Sequence, residues 1–260
     1  LESTLVPAAG LTLHTLPKVP IPRRPSKDLL TVPARLKSAT KIAEEVLGGA
    51  DVLVGFGGYV SAPAYIAASR LGVPFVVQEQ NVRPGWANRL GARSAKSVSL
   101  TFPQTRLAAR HGRTVFTGLP LRRSIVELAE QRSTSEGASR ARTSACEVFG
   151  LDPDLPVLLV TGGSLGAQHI NEVVASGAPA FAGRAQILHA TGTGKADEIS
   201  VVAANSPGVT WVIREYISNM EDALAAADLV LCRSGAGTVA ELGALGLPAF
   251  YVPLPIGNGE

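Results

Sequence analysis

The sequence predicts an α/β protein built from two doubly wound parallel sheets. Three observations carry that expectation. A strand, glycine turn, helix and strand occur in the same order twice, as Asp51-Val-Leu-Val with Leu71-Gly-Val-Pro and as Asp228-Leu-Val-Leu with Leu245-Gly-Leu-Pro. Apolar runs alternate with helical spacings along the chain, as crossover helices between parallel strands require. Among 260 residues, aliphatic side chains and 27 glycines dominate, while aromatics make up 5% and charged residues 17%, a composition suited to buried parallel strands.

Asp51 and Asp228 lie 177 positions apart, the size of a domain rather than of a solenoid repeat. Two similar domains facing each other are expected, with a boundary near Gly118 that gives 1–118 and 119–260. The net charge of +3 argues for neither nucleic acid nor a strongly acidic partner. Cys146 and Cys232 stand far apart without ligand spacing, so a disulfide framework is not expected and a reducing cytosol is. No apolar run approaches the roughly 18 residues of a membrane span. The start lacks an initiator Met and a signal-like leader, and the end is a bare Gly257-Asn258-Gly259-Glu260; both ends read as cut inside the pattern.

Leu11 to Leu16 is a weak strand candidate. A Pro-rich loop with Lys18, Arg23, Arg24 and Lys27 follows, read either as a solvated, stiffened loop or as an attraction to anionic lipid. Leu29, Val32 and Leu36 open a helix that runs to Leu47. Asp51 to Val54 is a strand leading to Gly55-Phe-Gly-Gly-Tyr59, then a helix from Ser61 to Leu71 and a strand from Pro74 to Gln78. Glu79-Gln-Asn-Val-Arg-Pro-Gly85 is a polar loop at that strand's carboxyl end. A helix over Trp86–Ala95, a strand over Ser97–Leu100, a helix after Pro103, a strand over Arg113–Phe116 and a helix over Pro120–Glu130 complete the first half. Residues 131–145 are polar and read as a flexible loop.

The second half restarts at the strand Pro156–Val160, which ends in Thr161-Gly-Gly-Ser-Leu-Gly-Ala167 before a helix to about Ser176. Strands are expected over Ala185–Ala190 and Val209–Ile213. A loop over Tyr216–Met220 and a helix to Ala227 lead to the strand Leu229–Leu231. The small residues Ser234–Gly237 form the next turn, Val239, Leu242 and Leu245 mark a helix, and Gly246 stops it.

The chemistry sits in these turns. Without bulky side chains at Ser234 to Thr238, backbone approaches a ligand closely, and the first helical N–H groups remain unpaired. Those donors and the positive helix end suit an anion such as a diphosphate. Glu241, about one turn further, would repel phosphate and fits neutral hydroxyls such as those of a ribose. The same residues would equally serve a tight turn with a solvated glutamate. Gly162, Gly163 and Gly166 do not have the dinucleotide spacing, and Thr191-Gly-Thr-Gly-Lys195 lacks the Walker spacing. The scattered His14, His111, His169 and His189 offer no metal site, and no Gly-x-Ser-x-Gly elbow is present. Glu79 is either a site carboxylate or a surface one.

Taken together, several stretches resemble the MurG family of bacterial glycosyltransferases. They are Gly57-Gly-Tyr-Val-Ser61, Glu79-Gln-Asn81, Pro84-Gly-Trp-Ala-Asn88, Thr117-Gly-Leu-Pro-Leu-Arg122, Gly162-Gly-Ser-Leu-Gly-Ala167 and Cys232-Arg-Ser-Gly-Ala-Gly-Thr-Val-Ala-Glu241. The resemblance implies a GT-B architecture, two Rossmann-like domains with a cleft between them. It implies inverting transfer of N-acetylglucosamine from UDP-GlcNAc to the 4-hydroxyl of muramic acid on a diphospho-undecaprenol lipid, by a peripheral protein at the cytoplasmic face of the plasma membrane. No cofactor, metal or nucleic acid is implied. The partners are UDP-GlcNAc, the undecaprenyl-diphosphate-linked acceptor and an anionic membrane surface.

Carried over by position, Ser164, Asn171 and Arg233 would line the donor side. Backbone at Ile217 would meet the uracil, Ala236, Gly237 and Thr238 the diphosphate, and Glu241 the ribose. Gly57, Gly58, Tyr59, Glu79, Asn81, Asn88 and Arg122 would serve the acceptor, with Glu79 and Asn81 as the catalytic candidates. Gln78 stands where the family often has His, and Gly237 where a larger apolar residue is common. The family's amino-terminal Gly-rich loop with its candidate catalytic His and its later Gln-rich segment have no counterpart in these residues. The expectation is a chain that keeps the uridine pocket and transfers poorly. Rival readings are another UDP-sugar enzyme of this architecture, an epimerase or lipid glycosyltransferase, or a non-catalytic UDP-binding module.

Overall fold

The computed structural model describes residues 2–17, 32–163 and 167–253, and the chain divides into two compact units, Leu1–Leu119 and Pro120–Gly259. The Pro-rich loop carrying Lys18, Arg23, Arg24 and Lys27, the start of the second helix at Leu29, and Ser164 lie outside the described residues.

The first unit contains α1 (Glu2–Ala8), α2 (Val32–Leu47), β1 (Leu53–Gly55), α3 (Ser61–Leu71), β2 (Phe75–Glu79), α4 (Trp86–Gly91), β3 (Ser97–Leu100) and β4 (Arg113–Phe116). Its sheet is parallel throughout, in the order β1-β2-β3-β4. Tyr65 of α3 is the keystone of its core. The ring stacks on Phe75 at 5.2 Å between centroids, is 2% exposed, and lies against Gly55 and Gly91, neither of which has room for a Cβ. Burial raises the Tyr65 hydroxyl above the ordinary phenol range, so the group stays protonated and donates to Asn88 Oδ1 at 2.8 Å.

The second unit contains α5 (Arg123–Gln131), α6 (Ser135–Phe149), β5 (Val157–Thr161), α7 (Gln168–Gly177) and a 3₁₀ turn at Ala178–Phe181. It continues through β6 (Gln186–Ala190), α8 (Ala196–Ala204), β7 (Thr210–Arg214), α9 (Met220–Ala226), β8 (Leu229–Arg233), α10 (Ala236–Leu245) and β9 (Ala249–Val252). The parallel sheet runs β7-β6-β5-β8-β9. Alternate side chains of β5 enter separate cores, Val157 and Leu159 on one face and Leu158 and Val160 on the other. A strand buried on both faces reads as one continuous apolar run, which is how Pro156–Val160 stood out.

The twin Leu-Gly-x-Pro sequences have a shared cause. Gly72 and Gly246 both follow a helix in the left-handed region, at φ 73° and 63°, and the next residues, Val73 and Leu247, donate back to Ala68 and Leu242. A side chain would strain both caps, and the proline that follows in each copy cannot prolong a helix.

Four expectations are corrected. Residues 131–145 are not a flexible loop: most belong to α6, which Thr134 caps by accepting the Gly137 N–H at 3.1 Å. Its buried face is made of small residues, Gly137 and Ala145, with Cys146 and Phe149 beyond. Packed on α9, it needs few large apolar groups. Arg142, which reads as solvated, instead donates to the carbonyls of Pro153, Leu155 and Ala226 and pairs with Asp228 at 2.9 Å. Second, Leu11–Leu16 is not a strand; residues 11–17 have no regular structure, although Leu16 packs against the first core. Third, no helix follows Pro103; that segment turns so that Thr105 Oγ1 can donate to the Asn81 carbonyl. Fourth, α4 stops at Gly91, short of Ala95. Both α1 and α8 went unanticipated.

Gly91→Ala tests the keystone. A Cβ there would meet the Tyr65 ring at 2.6 Å, and Tyr65 is pinned on its other sides. At so short a contact overpacking costs about 2–3 kcal/mol, the upper part of its range, more than the ~1 kcal/mol of helix propensity gained. A net loss of about 1–2 kcal/mol is expected in urea unfolding; an unchanged or raised midpoint would show the ring free to move.

Candidate functional site

From β5 the chain steps outward through β6 to β7, then returns to the other side of β5 and steps out again through β8 to β9. The two connections at the β5–β8 seam therefore leave in opposite directions, and a crevice opens beyond the carboxyl ends of those strands. A pocket of about 350 Å³ occupies that place, bounded by Thr161 and Gly163 at the end of β5 and by Arg233 and Gly235 at the end of β8. Leu224, Val230, Cys232 and Leu242 give it an apolar floor, while Arg122, Glu215, Thr238 and Glu241 supply its polar groups.

The first turn of α10 faces this pocket. Gly235 is its extended N-cap, at φ −68° and ψ 142°, with no side-chain cap, and the helical ladder begins with Val239 N–H to the Gly235 carbonyl. The N–H groups of Ala236, Gly237 and Thr238 thus have no helical acceptor, and they carry the positive end of the helix dipole. A Cβ on Gly237 would meet nothing within 4 Å, so backbone rather than side chain is presented there. Glu241 lies in the same helix, and its Oε1 accepts from Arg122 Nε at 3.0 Å. Arg122, expected among the acceptor residues, lines the same pocket as Glu241, which is expected among the donor residues.

Arg233 lines the pocket with its guanidinium fastened to the far side, donating to the Pro253 carbonyl at 2.9 Å. Ile217 forms part of the wall and is 5% exposed. Burial pushes the Cys232 thiol up to about 11, making it neutral floor rather than a nucleophile. Glu215 was missed in the sequence, although it stands at the carboxyl end of β7 where site residues gather. Its Oε1 accepts the Gly194 N–H at 2.7 Å, so the glycine loop at Thr191–Lys195 is tied to the pocket wall.

Asn171 is almost wholly buried and acts from below. Its Nδ2 donates to the Thr191 carbonyl and its Oδ1 faces His189 Nε2, both at 3.0 Å. That carbonyl fixes the amide orientation, so His189 must carry its proton on Nε2. Burial lowers the His189 pKa to about 4, and the ring stays neutral, stacked against Trp211 at 6.0 Å. Among the described residues, His189 Nδ1 and Trp211 Nε1 have no hydrogen-bond partner.

In the first unit, Gly57 and Gly58 follow β1 in the left-handed region, at φ 86° and 81°. Glu79 is only 2% exposed, and it accepts from Asn81 N, Gly85 N and Asn88 Nδ2 at 2.9–3.0 Å. The carboxylate therefore shapes the loop from inside. Asn88 also donates to the Gln78 carbonyl and accepts from Tyr65. Gln78 is buried and donates to Thr101 Oγ1 and the Gly118 carbonyl. Of this group, Tyr59 and Asn81 are the exposed side chains.

Residues 1–100 match the glycosyltransferase family 28 N-terminal domain and residues 157–260 the glycosyltransferase family 28 C-terminal domain. The chain is 50% identical over 264 residues to the UDP-N-acetylglucosamine–N-acetylmuramyl-(pentapeptide) pyrophosphoryl-undecaprenol N-acetylglucosamine transferase of Streptomyces coelicolor, covering 100% of this chain and 68% of that protein. It is 45% identical over 277 residues to the protein of the same name from Bifidobacterium adolescentis, covering 100% and 70%. Among solved structures, Acinetobacter baumannii MurG superposes with a TM-score of 0.69 at 26% identity, over 100% of this chain and 69% of that one. The UDP-GlcNAc 2-epimerase of Neisseria meningitidis, at TM-score 0.59 and 13% identity over 89% and 66%, shares the fold.

The buried imidazole makes stability depend on pH. An unfolded histidine takes a proton near pH 6.5, whereas folded His189 resists until about 4. Its contribution is complete above pH 6.5 and is lost as pH falls toward 4, about 3 kcal/mol in all. Unfolding free energies of wild type and His189→Gln should therefore converge over that window, the variant showing the flatter profile. Parallel profiles would mean that His189 charges freely in the fold.

Proposed function

This chain belongs to glycosyltransferase family 28, and from that premise we propose that it moves N-acetylglucosamine from UDP-GlcNAc to the 4-hydroxyl of a muramoyl acceptor on diphospho-undecaprenol. The step is the one named for its relatives in S. coelicolor and B. adolescentis, the conversion of lipid I to lipid II in peptidoglycan synthesis. The observation that carries the reading is the pocket at the β5–β8 seam, where unpaired helix amides and a carboxylate stand within one short helix.

In this reading the uracil enters beside the Ile217 backbone and rests on the apolar floor. The ribose hydroxyls donate to Glu241. The diphosphate takes the N–H groups of Ala236, Gly237 and Thr238. As the glycosidic bond breaks, charge builds on the departing UDP, and donors already fixed by the helix stabilise it without reorganising. Arg233, held by the end of β9, adds a positive charge beside this path. Asn171 supports the Thr191 carbonyl and the glycine loop. Ser164 belongs to the donor set by its sequence position.

The acceptor is assigned to the turns after β1 and β2. Gly57 and Gly58 let backbone approach the sugar, and Tyr59 and Asn81 offer exposed polar groups. Glu79 accepts the Asn81 N–H and is itself held by Asn88, so the catalytic part of Glu79 is exerted through the loop it organises. Undecaprenol is a membrane lipid, and the reaction therefore belongs at the cytoplasmic face of the plasma membrane, with the protein attached peripherally to an anionic surface.

Calorimetric titration of UDP and UDP-GlcNAc into wild type and Glu241→Ala tests the donor site. Hydrogen bonds to a charged group contribute about 1.5–3 kcal/mol, so the variant should bind at least about tenfold more weakly. Equal affinities would remove Glu241 from the site. Release of UDP only when the lipid-linked acceptor is added separates transfer from epimerisation and from simple binding.

A further inference from the structure

The buried face of α3 is built mainly of alanine, yet it carries two hydroxyls one helical turn apart. Ser61 and Tyr65 share that face. Ser61 Oγ donates to the Gly57 carbonyl, and the Tyr65 hydroxyl donates to Asn88 Oδ1 at 2.8 Å. The core around residue 65 needs only a ring. Phenylalanine would stack on Phe75 equally well without burying a polar atom, and a buried hydroxyl is costly unless it is bonded. The chain even makes room for this one: a Cβ on Gly55 would overlap the phenol oxygen. The hydroxyl is therefore explained by the group it bonds and not by the core.

That group is a junction. Asn88 is 2% exposed, and its Nδ2 donates to the Gln78 carbonyl at 3.1 Å and to Glu79 Oε2 at 3.0 Å. Glu79 in turn accepts the N–H groups of Asn81 and Gly85. The turn after β1 rests on the same amide, for a Cβ on Gly57 would come within 3.1 Å of Asn88 Nδ2. One buried amide thus meets both turns, and Tyr65 holds its oxygen end. Without that donor, Oδ1 would be a buried acceptor with no partner. The amide would shift to find one, loosening its hold on Glu79 and its contact with Gly57.

Resting on the reading of these two turns as the acceptor side, we propose that Tyr65 is a positioning residue for the acceptor. Acting through Asn88, its hydroxyl sets the turn at Gly57–Gly58 and the loop at Asn81–Gly85 relative to each other. The side chain itself is buried and touches no substrate.

The test uses Tyr65→Phe, which removes the hydroxyl alone, together with Asn88→Ala and the double variant. Amide hydrogen exchange and calorimetric titration are measured on each, well below its urea transition. The titrants are UDP and a muramoyl pentapeptide diphosphate carrying a short prenyl chain. In Tyr65→Phe, exchange at Asn81 and Gly85 should speed up about fivefold more than at Val77 and Val98, which report the stability of the same sheet. Acceptor affinity should fall about five- to tenfold while UDP affinity holds, and adding Tyr65→Phe to Asn88→Ala should change neither readout further. Equal acceleration at all four amides, or an unchanged acceptor affinity, makes the hydroxyl a stability element and overturns the proposal. An effect that persists in full on the Asn88→Ala background overturns it too. Should Tyr65→Phe fail to fold, Asn88→Ala decides alone: acceptor binding like that of wild type would leave Tyr65 nothing to act through. If wild type takes up no acceptor, the acceptor-side reading has failed, and the exchange rates still report whether Tyr65 holds the loop.

Discussion

Two adjacent parallel strands cannot send their connections to opposite sides of a sheet without leaving a gap between them, and the second unit is organised around that gap. At the β5–β8 seam, β5 and β8 are paired through Leu158 with Leu229 and on to Thr161 with Cys232. One step later both chains turn away. Hydrogen bonding keeps the strands together up to the seam's edge, and the tight turns after them keep the edge open. The depth of the pocket comes from the buried apolar side chains beneath it, its polarity from whatever the turns expose. The local requirements of Gly163, Gly235 and the first turn of α10 follow from this position in the topology.

The loops around the candidate sites are fixed from within by buried polar groups. Glu79, Asn88 and Tyr65 form a connected set in which three donors converge on one carboxylate, and the tyrosine hydroxyl satisfies the remaining amide oxygen. Asn171 and neutral His189 do the same for the Thr191 loop. Such networks are costly if any member is left unpaired. This cost makes them specific: the loops have one arrangement that satisfies the set. The two orphaned nitrogens at His189 and Trp211 are the weak point of the second network. Neutrality of the imidazole limits the penalty there, because a bare lone pair is far cheaper to bury than a charge.

Much of this was legible in the chain. The strands Ser97–Leu100 and Arg113–Phe116 and the helix Ser61–Leu71 were read at their observed bounds, because apolar spacing, glycine and proline agree at their ends. The α10 turn was legible because its residues are small where a helix must begin. Helix α6 was not. Its inner face is glycine, alanine and cysteine, and its most consequential contact is made by an arginine, so hydropathy carries no signal. Close packing against the alanines of α9 supplies through van der Waals contact what large side chains supply elsewhere. Glu79 was legible as unusual but not as buried. One sequence cannot tell whether a carboxylate in a polar loop points outward to a substrate or inward to the loop's own N–H groups.

The same distinction between backbone and side-chain chemistry accounts for the family-atypical residues. Gly237 departs from the larger apolar residue common at its position, yet what a diphosphate would read there is an N–H, which every residue but proline provides. A Cβ there would meet nothing within 4 Å, so the position has room for a side chain to begin. Glu241 is different in kind. Its two oxygens stand at the end of three rotatable bonds, and one of them accepts from a partner 119 positions away in the chain. Amide donors at a helix start are oriented by the fold itself, whereas a carboxylate needs a second side chain to orient it. The pocket combines the two: amide donors set by the helix start, and a carboxylate whose Oε1 is held by Arg122.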